Sequence, residues 1–122
     1  MAWTLDDSRP IYLQIMDFIK TKIIAGFYKP GEKLPSVRDL AMEASVNPNT
    51  MPKALIELER DGLVYTQRTS GRFITEDTGK LSEIRGQMAR TQVVCFIRNM
   101  EELGFTKEQI QKLLETELKG EH

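Results

Sequence analysis

The sequence predicts a mainly α-helical protein with one small β-hairpin near its centre. Three observations support this fold class. Apolar residues recur at helical spacing from Ile11 onward, two short runs of strand-forming residues flank a glycine-containing turn, and the last third of the chain is again helical in pattern. A polar hinge at 76–79 precedes that last third. We therefore expect two parts, residues 1–77 and residues 78–122.

Composition narrows the class of protein. Of 122 residues, 40% are hydrophobic and 29% are charged, which is typical of a globular domain. No run approaches the roughly 20 apolar residues of a membrane span, and the first residues do not resemble a secretory signal. The single cysteine, Cys95, excludes an intramolecular disulfide and suits the reducing cytoplasm. We expect a cytoplasmic protein without a membrane partner.

Catalysis and metal binding are not indicated. The only histidine is His122, at the end of the chain, and the only cysteine is Cys95. A structural zinc site needs four such ligands, and a Ser-His or Cys-His pair needs a well-placed histidine. We therefore expect no catalytic residue, no metal site and no cofactor. The sequence indicates no pocket for an effector.

The first helix is predicted to begin at Pro10, where the missing N–H of proline has no cost. One face of this helix carries apolar residues at four-residue spacing: Ile11, Ile15, Ile19 and Ile23. Gly26 is a natural C-terminal stop. A connector rich in proline and glycine follows, up to Pro35.

Two short helices come next. Ser36 is expected to cap the second helix, which ends near Ala44 and Ser45. Asn47 is expected to cap a third helix that begins at Pro48 and ends at Asp61-Gly62. The inward face of this third helix is supplied by Ala54, Leu55 and Leu58.

The hairpin follows at once. Residues 63–66 and 72–75 have strand character, and residues 67–71 join them with Gly71 at the tip. The order helix, helix, turn, helix, hairpin is that of a winged helix-turn-helix, which we expect from about Pro10 to Thr75. This fold places a recognition helix in the DNA major groove.

The tail is predicted to be a helical hairpin. One stripe of residues follows alternating spacings of three and four, as in a helix that pairs with another helix, and a second stripe widens the apolar arc. Gly104 breaks the first tail helix, and Thr106 and Gln109 match a capping box for the second. The expected dimerisation residues are Leu81, Ile84, Met88, Cys95, Phe96, Ile97, Met100, Ile110, Leu113 and Leu114. The alternative is that these stripes pack onto the winged domain of the same chain.

Charge is distributed unevenly along the first part. The net charge is −1, yet the stretch 44–56 carries Lys53 and no acid, and the stretch 62–75 carries Arg68 and Arg72 and no acid. Both stretches fall where a winged helix-turn-helix meets DNA. Their position is therefore more informative than the total charge.

Several separated motifs agree with one known family. Residues 10–15, 31–41, 46–50, 54–63 and 71–74 resemble, in register, the GntR family of bacterial regulators. The short two-helix tail is similar to that of the YtrA-type subfamily, whose members dimerise through it. The resemblance implies a winged helix-turn-helix with a C-terminal two-helix dimerisation hairpin, and it implies control of the regulator's own operon, with transporter genes as candidate targets.

The candidate DNA contacts combine the resemblance with side-chain chemistry. Asn pairs with adenine, Lys with guanine or phosphate, and Arg is favoured in the minor groove. The resemblance gives Arg38 as a DNA-contacting arginine of the second helix. The candidates are Ser36, Arg38, Asn47, Asn49, Thr50, Lys53, Arg68, Ser70, Gly71 and Arg72. For Ser36 and Asn47, helix capping is an equally supported role; for the arginines, the alternative is a solvated charge paired with an acid.

Two residues depart from the family pattern. Pro48 and Pro52 stand where members often carry Arg or Gln. In a helix that begins at Pro48, Pro52 would be interior and would cost up to roughly 3 kcal/mol, so we expect it to shorten or bend the start of the helix. Base reading would then depend more on Asn49, Lys53 and the wing.

The expected function is that of a homodimeric transcriptional regulator, a repressor that binds a palindromic operator in double-stranded DNA. The two-fold symmetry of the protein would match that of the DNA. The alternative is a winged-helix module that binds another protein without sequence-specific DNA binding.

Overall fold

The computed structural model of the chain describes residues 5–120, which form five α-helices and one two-stranded antiparallel sheet. In chain order these are α1 (Ile11–Ile24), α2 (Val37–Ala44), α3 (Met51–Arg60), β1 (Val64–Gln67), β2 (Gly71–Ile74), α4 (Thr78–Glu102) and α5 (Lys107–Leu118). The mainly α-helical class with a hairpin wing is confirmed. The first four residues and His122, considered above, lie outside the described residues.

Two compact units divide the described chain, one ending at Glu83 and the other beginning at Ile84. The border between them therefore lies inside α4. The functional division into residues 1–77 and 78–122 stays a prediction.

The core of the first unit joins its three helices to the hairpin. The largest apolar side chains with almost no exposed surface are Ile15, Ile19, Leu40, Met51, Leu55, Leu58, Leu63 and Ile74. The stripe expected on α1 is confirmed for Ile15, Ile19 and Ile23, whereas Ile11 at the start of the helix is half-buried. The apolar stripes of α1 and α3 meet in this core, so that α1 supports the helix that follows the turn.

A buried lysine links α1 to α2. Lys22 is 2% exposed, and its Nζ lies 3.8 Å from Oε1 of Glu43. The same ammonium lies 5.0 Å from the ring centroid of Phe27 and 5.8 Å from that of Tyr28. Burial raises the pKa of the Tyr28 phenol above its ordinary value, and the carboxylates of Glu43 and Glu32 raise it further.

The limits predicted for α2 are confirmed. The backbone N–H of Asp39 donates to Oγ of Ser36 at 3.1 Å, which caps the N-terminus of the helix. Ser45 then adopts a left-handed conformation with φ of 57°, and this ends the helix after Ala44.

The start predicted for α3 is wrong. The helix begins at Met51 and not at Pro48, and Asn47 caps a turn instead of the helix. The reason is Pro52: a helix from Pro48 would need the N–H of residue 52 to bond the Pro48 carbonyl, and proline has none. With Met51 first, Pro52 falls at the second helical position, where the N–H would have no intrahelical partner in any residue.

The wing is an antiparallel hairpin whose strands are each shifted by one residue from the prediction. Val64 pairs with Ile74 and Gln67 with Gly71, so that three residues form the loop. The N–H of Ser70 donates to the carbonyl of Gln67 at 3.1 Å, and Gly71 has φ of 108°. Gly71 therefore begins β2 instead of forming the tip, as in three-residue loops that require a positive φ after the turn. The rings of Tyr65 and Phe73 stack across the strands, 5.7 Å between centroids.

The connector before α2 lies beside β2. The N–H of Leu34 donates to the carbonyl of Arg72 at 2.9 Å, and the N–H of Ile74 donates to the carbonyl of Glu32 at 2.8 Å. Lys33 bridges to Phe73 between these two bonds. This pairing fixes the start of α2 next to the base of the wing.

The tail helices agree with the prediction except at the hinge. Oδ1 of Asp77 accepts the N–H of Lys80 at 3.0 Å, so that α4 begins at Thr78 and only two residues of the expected four-residue hinge remain outside it. The 25 residues of α4 span about 37 Å. Gly104 ends the turn after α4, and the predicted capping box of Thr106 and Gln109 is present. Within residues 5–120 no helix is long and apolar enough to cross a membrane.

Replacing Pro52 by alanine is expected to change the free energy of unfolding by less than about 1 kcal/mol, because a proline in the first turn gives up no hydrogen bond. The control is Ile56→Pro, at an exposed interior position of the same helix. That change should cost about 3 kcal/mol or more. Urea unfolding followed by circular dichroism measures both values. A gain near 3 kcal/mol in Pro52→Ala would mean that Pro52 lies inside the helix.

Candidate nucleic-acid interface

The start of α2 and the tip of the wing share one cleft of about 620 Å³. Its walls include Lys33, Ser36, Ser70, Gly71 and Arg72. All of these except Lys33 were predicted as site residues. Ser36 is more than thirty residues from the other three in sequence, and the pairing of the connector with β2 brings them together. The cleft also contains one carboxylate, that of Asp39.

Arg72 is the most constrained cation of this cleft. Its side chain is half-buried, and its Nε is enclosed with no hydrogen-bond partner among the described residues. A buried donor without an acceptor is costly, whereas a guanidinium binds phosphate oxygens with several donors at once. The geometry thus suits an anion that enters the cleft from outside.

The N-terminus of α2 adds further donors. The first backbone N–H groups of a helix have no intrahelical acceptor and favour an anion nearby. Oγ of Ser36 already accepts the N–H of Asp39, so the capping role of Ser36 is real, and its hydroxyl proton remains available. Arg38 is exposed, and no acid in residues 5–120 lies within ion-pair distance of it.

A turn before α3 displays the predicted asparagines. Oδ1 of Asn47 accepts the N–H of Asn49 at 2.9 Å, and the carbonyl of Asn47 accepts the N–H of Thr50 at 2.9 Å. The amide oxygen of Asn47 is therefore engaged inside the turn, whereas Asn49 is exposed with its side-chain amide available at both ends. Thr50 is half-buried at the N-cap and its side chain does not cap the helix.

Lys53 is held by a residue that sequence reasoning did not assign to the site. Its Nζ lies 4.0 Å from the ring centroid of Tyr12 on α1, a cation–π contact. Tyr12 directly follows Ile11, the first residue of the apolar stripe, and its only signal in the sequence is an aromatic ring with a polar hydroxyl. The contact orients an exposed ammonium at the N-terminal turn of α3.

The loop at the tip of the wing carries another arginine, Arg68. Arg68 is exposed and has no ion-pair partner among the described residues. Unlike Arg68, Lys33 was not among the predicted contacts, because its position in the cleft depends on a bridge to Phe73 forty residues away. Together these side chains make the cleft and the wing tip a positively charged edge.

The arrangement has the elements that a duplex requires. The amide of Asn49 lies in the turn before α3, the ammonium of Lys53 lies in the first turn of α3, and a helix fits the major groove. The cleft and wing present arginine, lysine and helix N–H donors that suit phosphates or a narrow groove. No three potential metal ligands come together within residues 5–120.

A second feature lies in the tail. A largely apolar groove of about 580 Å³ runs between α4 and α5, and its walls include Val93, Phe96, Ile97, Ile110 and Leu114. Ile110 is 5% exposed and therefore packs within the helical hairpin, whereas Phe96 and Leu114 are 40% and 42% exposed. None of the 25 residues of α4 is buried.

The other predicted dimerisation residues lie along the same helices. Leu81, Ile84, Met88 and Met100 are half-buried, and Leu113 is exposed. Cys95 is a free, exposed thiol with Arg90 and Arg98 beside it, outside the groove.

A family model matches the first unit. The model described as "Bacterial regulatory proteins, gntR family" matches residues 11–74, which extend from α1 to the end of β2.

Two relatives from Bacillus subtilis (strain 168) match more of the chain. The "Uncharacterized HTH-type transcriptional regulator YhcF" is 41% identical over 113 residues, 93% of this chain and 93% of that protein. The "HTH-type transcriptional repressor YtrA" is 45% identical over 87 residues, 66% of this chain and 67% of that protein. The first of these alignments includes both the winged unit and most of the tail.

Solved structures agree in fold. A "GntR family transcriptional regulator from Listeria monocytogenes" has a TM-score of 0.84 and 40% identity, and the match covers 92% of this chain and 98% of that one. The DNA-binding domain of AraR, solved in complex with operator ORX1, has a TM-score of 0.55 and 26% identity over 59% of this chain and 93% of that one.

Proposed function

Since this chain belongs to the GntR family of bacterial regulatory proteins, we propose that it represses transcription by binding a palindromic operator as a homodimer. The family and the relatives are transcriptional regulators and not enzymes. The observation that carries the proposal is the shared cleft, where the start of α2 and the wing present Ser36 and Arg72 together. Because DNA is the partner, the proposed place of action is the cytoplasm.

The proposed contacts follow from the local geometry. α3 enters the major groove, where Asn49 pairs with adenine and Lys53 reaches guanine or a phosphate. The N-terminus of α2 and Arg38 bind a phosphate, and the wing lies against the minor groove. The full proposed set is Ser36, Arg38, Asn47, Asn49, Thr50, Lys53, Arg68, Ser70, Gly71 and Arg72, to which Lys33 is added from the cleft.

Two relatives support the repressor and operator parts of the proposal. YtrA is named a transcriptional repressor, and its match spans two thirds of each chain. The DNA-binding domain of AraR shares the winged fold and was solved on operator DNA. By analogy we propose that this chain acts on its own operon, with transporter genes as candidate targets.

The homodimer is proposed from the tail. Every residue of α4 keeps solvent-exposed surface, although apolar residues line one side of the groove. A second copy would bury the exposed parts of Phe96 and Leu114 and would exclude water from apolar surface. A two-fold axis through such a contact presents two winged units to two half-sites.

The alternative, a winged module that binds another protein, does not explain the cations of the first unit. Arg38 and Arg68 are exposed without ion-pair partners among the described residues, and Arg72 holds an enclosed donor. A phosphate backbone accounts for all three, since it supplies acceptors at regular spacing along the groove edges.

Arg72→Ala is expected to weaken binding of a duplex selected from a randomised library, and to make the slope of log affinity against log salt shallower by about 1, because one phosphate contact is lost. Fluorescence anisotropy at several salt concentrations measures the slope. Arg98→Ala, which removes an equal charge from α4, should keep the wild-type slope. Equal slopes for wild type and Arg72→Ala would remove Arg72 from the interface, and failure of the selection to enrich any sequence would refute the regulator proposal.

Phe96→Glu is expected to convert the dimer to a monomer of 14.0 kDa at micromolar concentration, because a carboxylate in the apolar groove would lose its hydration. Analytical ultracentrifugation measures the mass. Lys119→Glu, which changes the charge at the end of α5 outside the groove, should remain dimeric. A wild-type chain that sediments as a monomer would refute the homodimer.

A further inference from the structure

The outward face of α3 contains an apolar patch that the proposed contacts do not use. The helix buries Met51, Ala54, Leu55 and Leu58, and helical periodicity places Lys53, Ile56 and Arg60 on the opposite side. Ile56 is 48% exposed in the middle of that side. Pro52 lies one turn before Ile56 and is half-buried. We call Pro52 and Ile56 the apolar step.

The charged groups of both cations beside the apolar step contact other residues. The ammonium of Lys53 lies above the ring of Tyr12, 4.0 Å from its centroid. Nη1 of Arg60 lies 2.9 Å from Oε1 of its neighbour Glu57. Ile56 keeps 48% of its surface exposed between these two residues, so that hydrocarbon is accessible in the middle of this face.

The major groove offers one apolar group to such a surface. Each base pair there presents donors and acceptors, and only thymine adds a methyl group, at C5. Placing the apolar step against the amino group of cytosine or the O6 of guanine would desolvate a polar atom without a partner. A thymine methyl would instead exchange its contact with water for a contact with hydrocarbon.

We propose that Pro52 and Ile56 read thymine through its C5-methyl group, and that each half-site has one or two thymines facing the apolar step. This inference rests on the proposed function, because it requires α3 to lie in the major groove. It gives Pro52 a second role: the residue that sets the start of α3 also supplies part of the reading surface. Specificity in the middle of the half-site then comes from shape and methyl contact, with Asn49 as the hydrogen-bonding reader at its edge.

The test removes methyl groups one at a time. The full chain is used to select duplexes from a randomised library, and each thymine of the selected duplex is replaced in turn by deoxyuridine, which keeps base pairing and lacks only the methyl. We expect about a four-fold loss of affinity at one or two positions in each half-site, the size expected for one buried methyl group. Thymines elsewhere in the duplex should be insensitive to the replacement.

Ile56→Ala links the effect to the protein. This variant changes an exposed residue and should fold as the wild type does, which circular dichroism checks. It should bind the thymine duplex several-fold more weakly, and deoxyuridine at the thymine that faces Ile56 should cause no further loss. Met42→Ala, which truncates a residue of α2 that is 73% exposed, should retain the four-fold sensitivity to deoxyuridine.

The outcomes separate the inference from the function on which it rests. A selected duplex that is indifferent to deoxyuridine at every position, or that contains no thymine in the half-sites, overturns methyl reading and leaves the regulator proposal intact. Equal deoxyuridine sensitivity in wild type and Ile56→Ala also overturns it. If no duplex is enriched, the proposed function fails and the inference fails with it.

Discussion

The hydrogen-bond donor that Pro52 lacks determines where α3 begins, and the proposed DNA-reading surface depends on that start. A proline at the fifth position of a helix removes a backbone bond and brings its ring against a carbonyl, so that the chain begins the helix at Met51 instead. Residues 47–50 are then available for a turn, which the side chain of Asn47 closes on the N–H of Asn49. This turn leaves Asn49 exposed at the tip of the helix, with Lys53 held over Tyr12 one turn further on.

Local signals predicted most of the fold. The caps at Ser36 and Thr106 and the apolar stripe of α1 are short-range features, and the structure contains each of them. The start of α3 was predicted wrongly because two prolines lie close together in this segment. Pro48 satisfies the rule for a first helical residue, but it is Pro52 that determines where the helix begins. The expectation that Pro52 shortens the start of this helix is confirmed.

The candidate site was harder to predict because it depends on contacts distant in sequence. Ser36 and Arg72 were identified one by one, yet the cleft that joins them exists only because residues 31–34 pair with β2. For the same reason Lys33 and Tyr12 were missed: the first joins the site through a bridge to Phe73, and the second through a cation–π contact with another helix. The apolar stripes of the two tail helices, in contrast, predicted the apolar residues that line the partly exposed groove. Of these residues, Ile110 is buried and packs within the helical hairpin.

The central claim is that two winged units read two symmetric half-sites. Hydroxyl-radical footprinting of the full chain on a duplex selected from a randomised library tests it most directly. The account predicts two protected half-sites related by a two-fold axis, with centres about 10 base pairs apart or a multiple of that spacing. A single protected segment without a symmetric partner would contradict it.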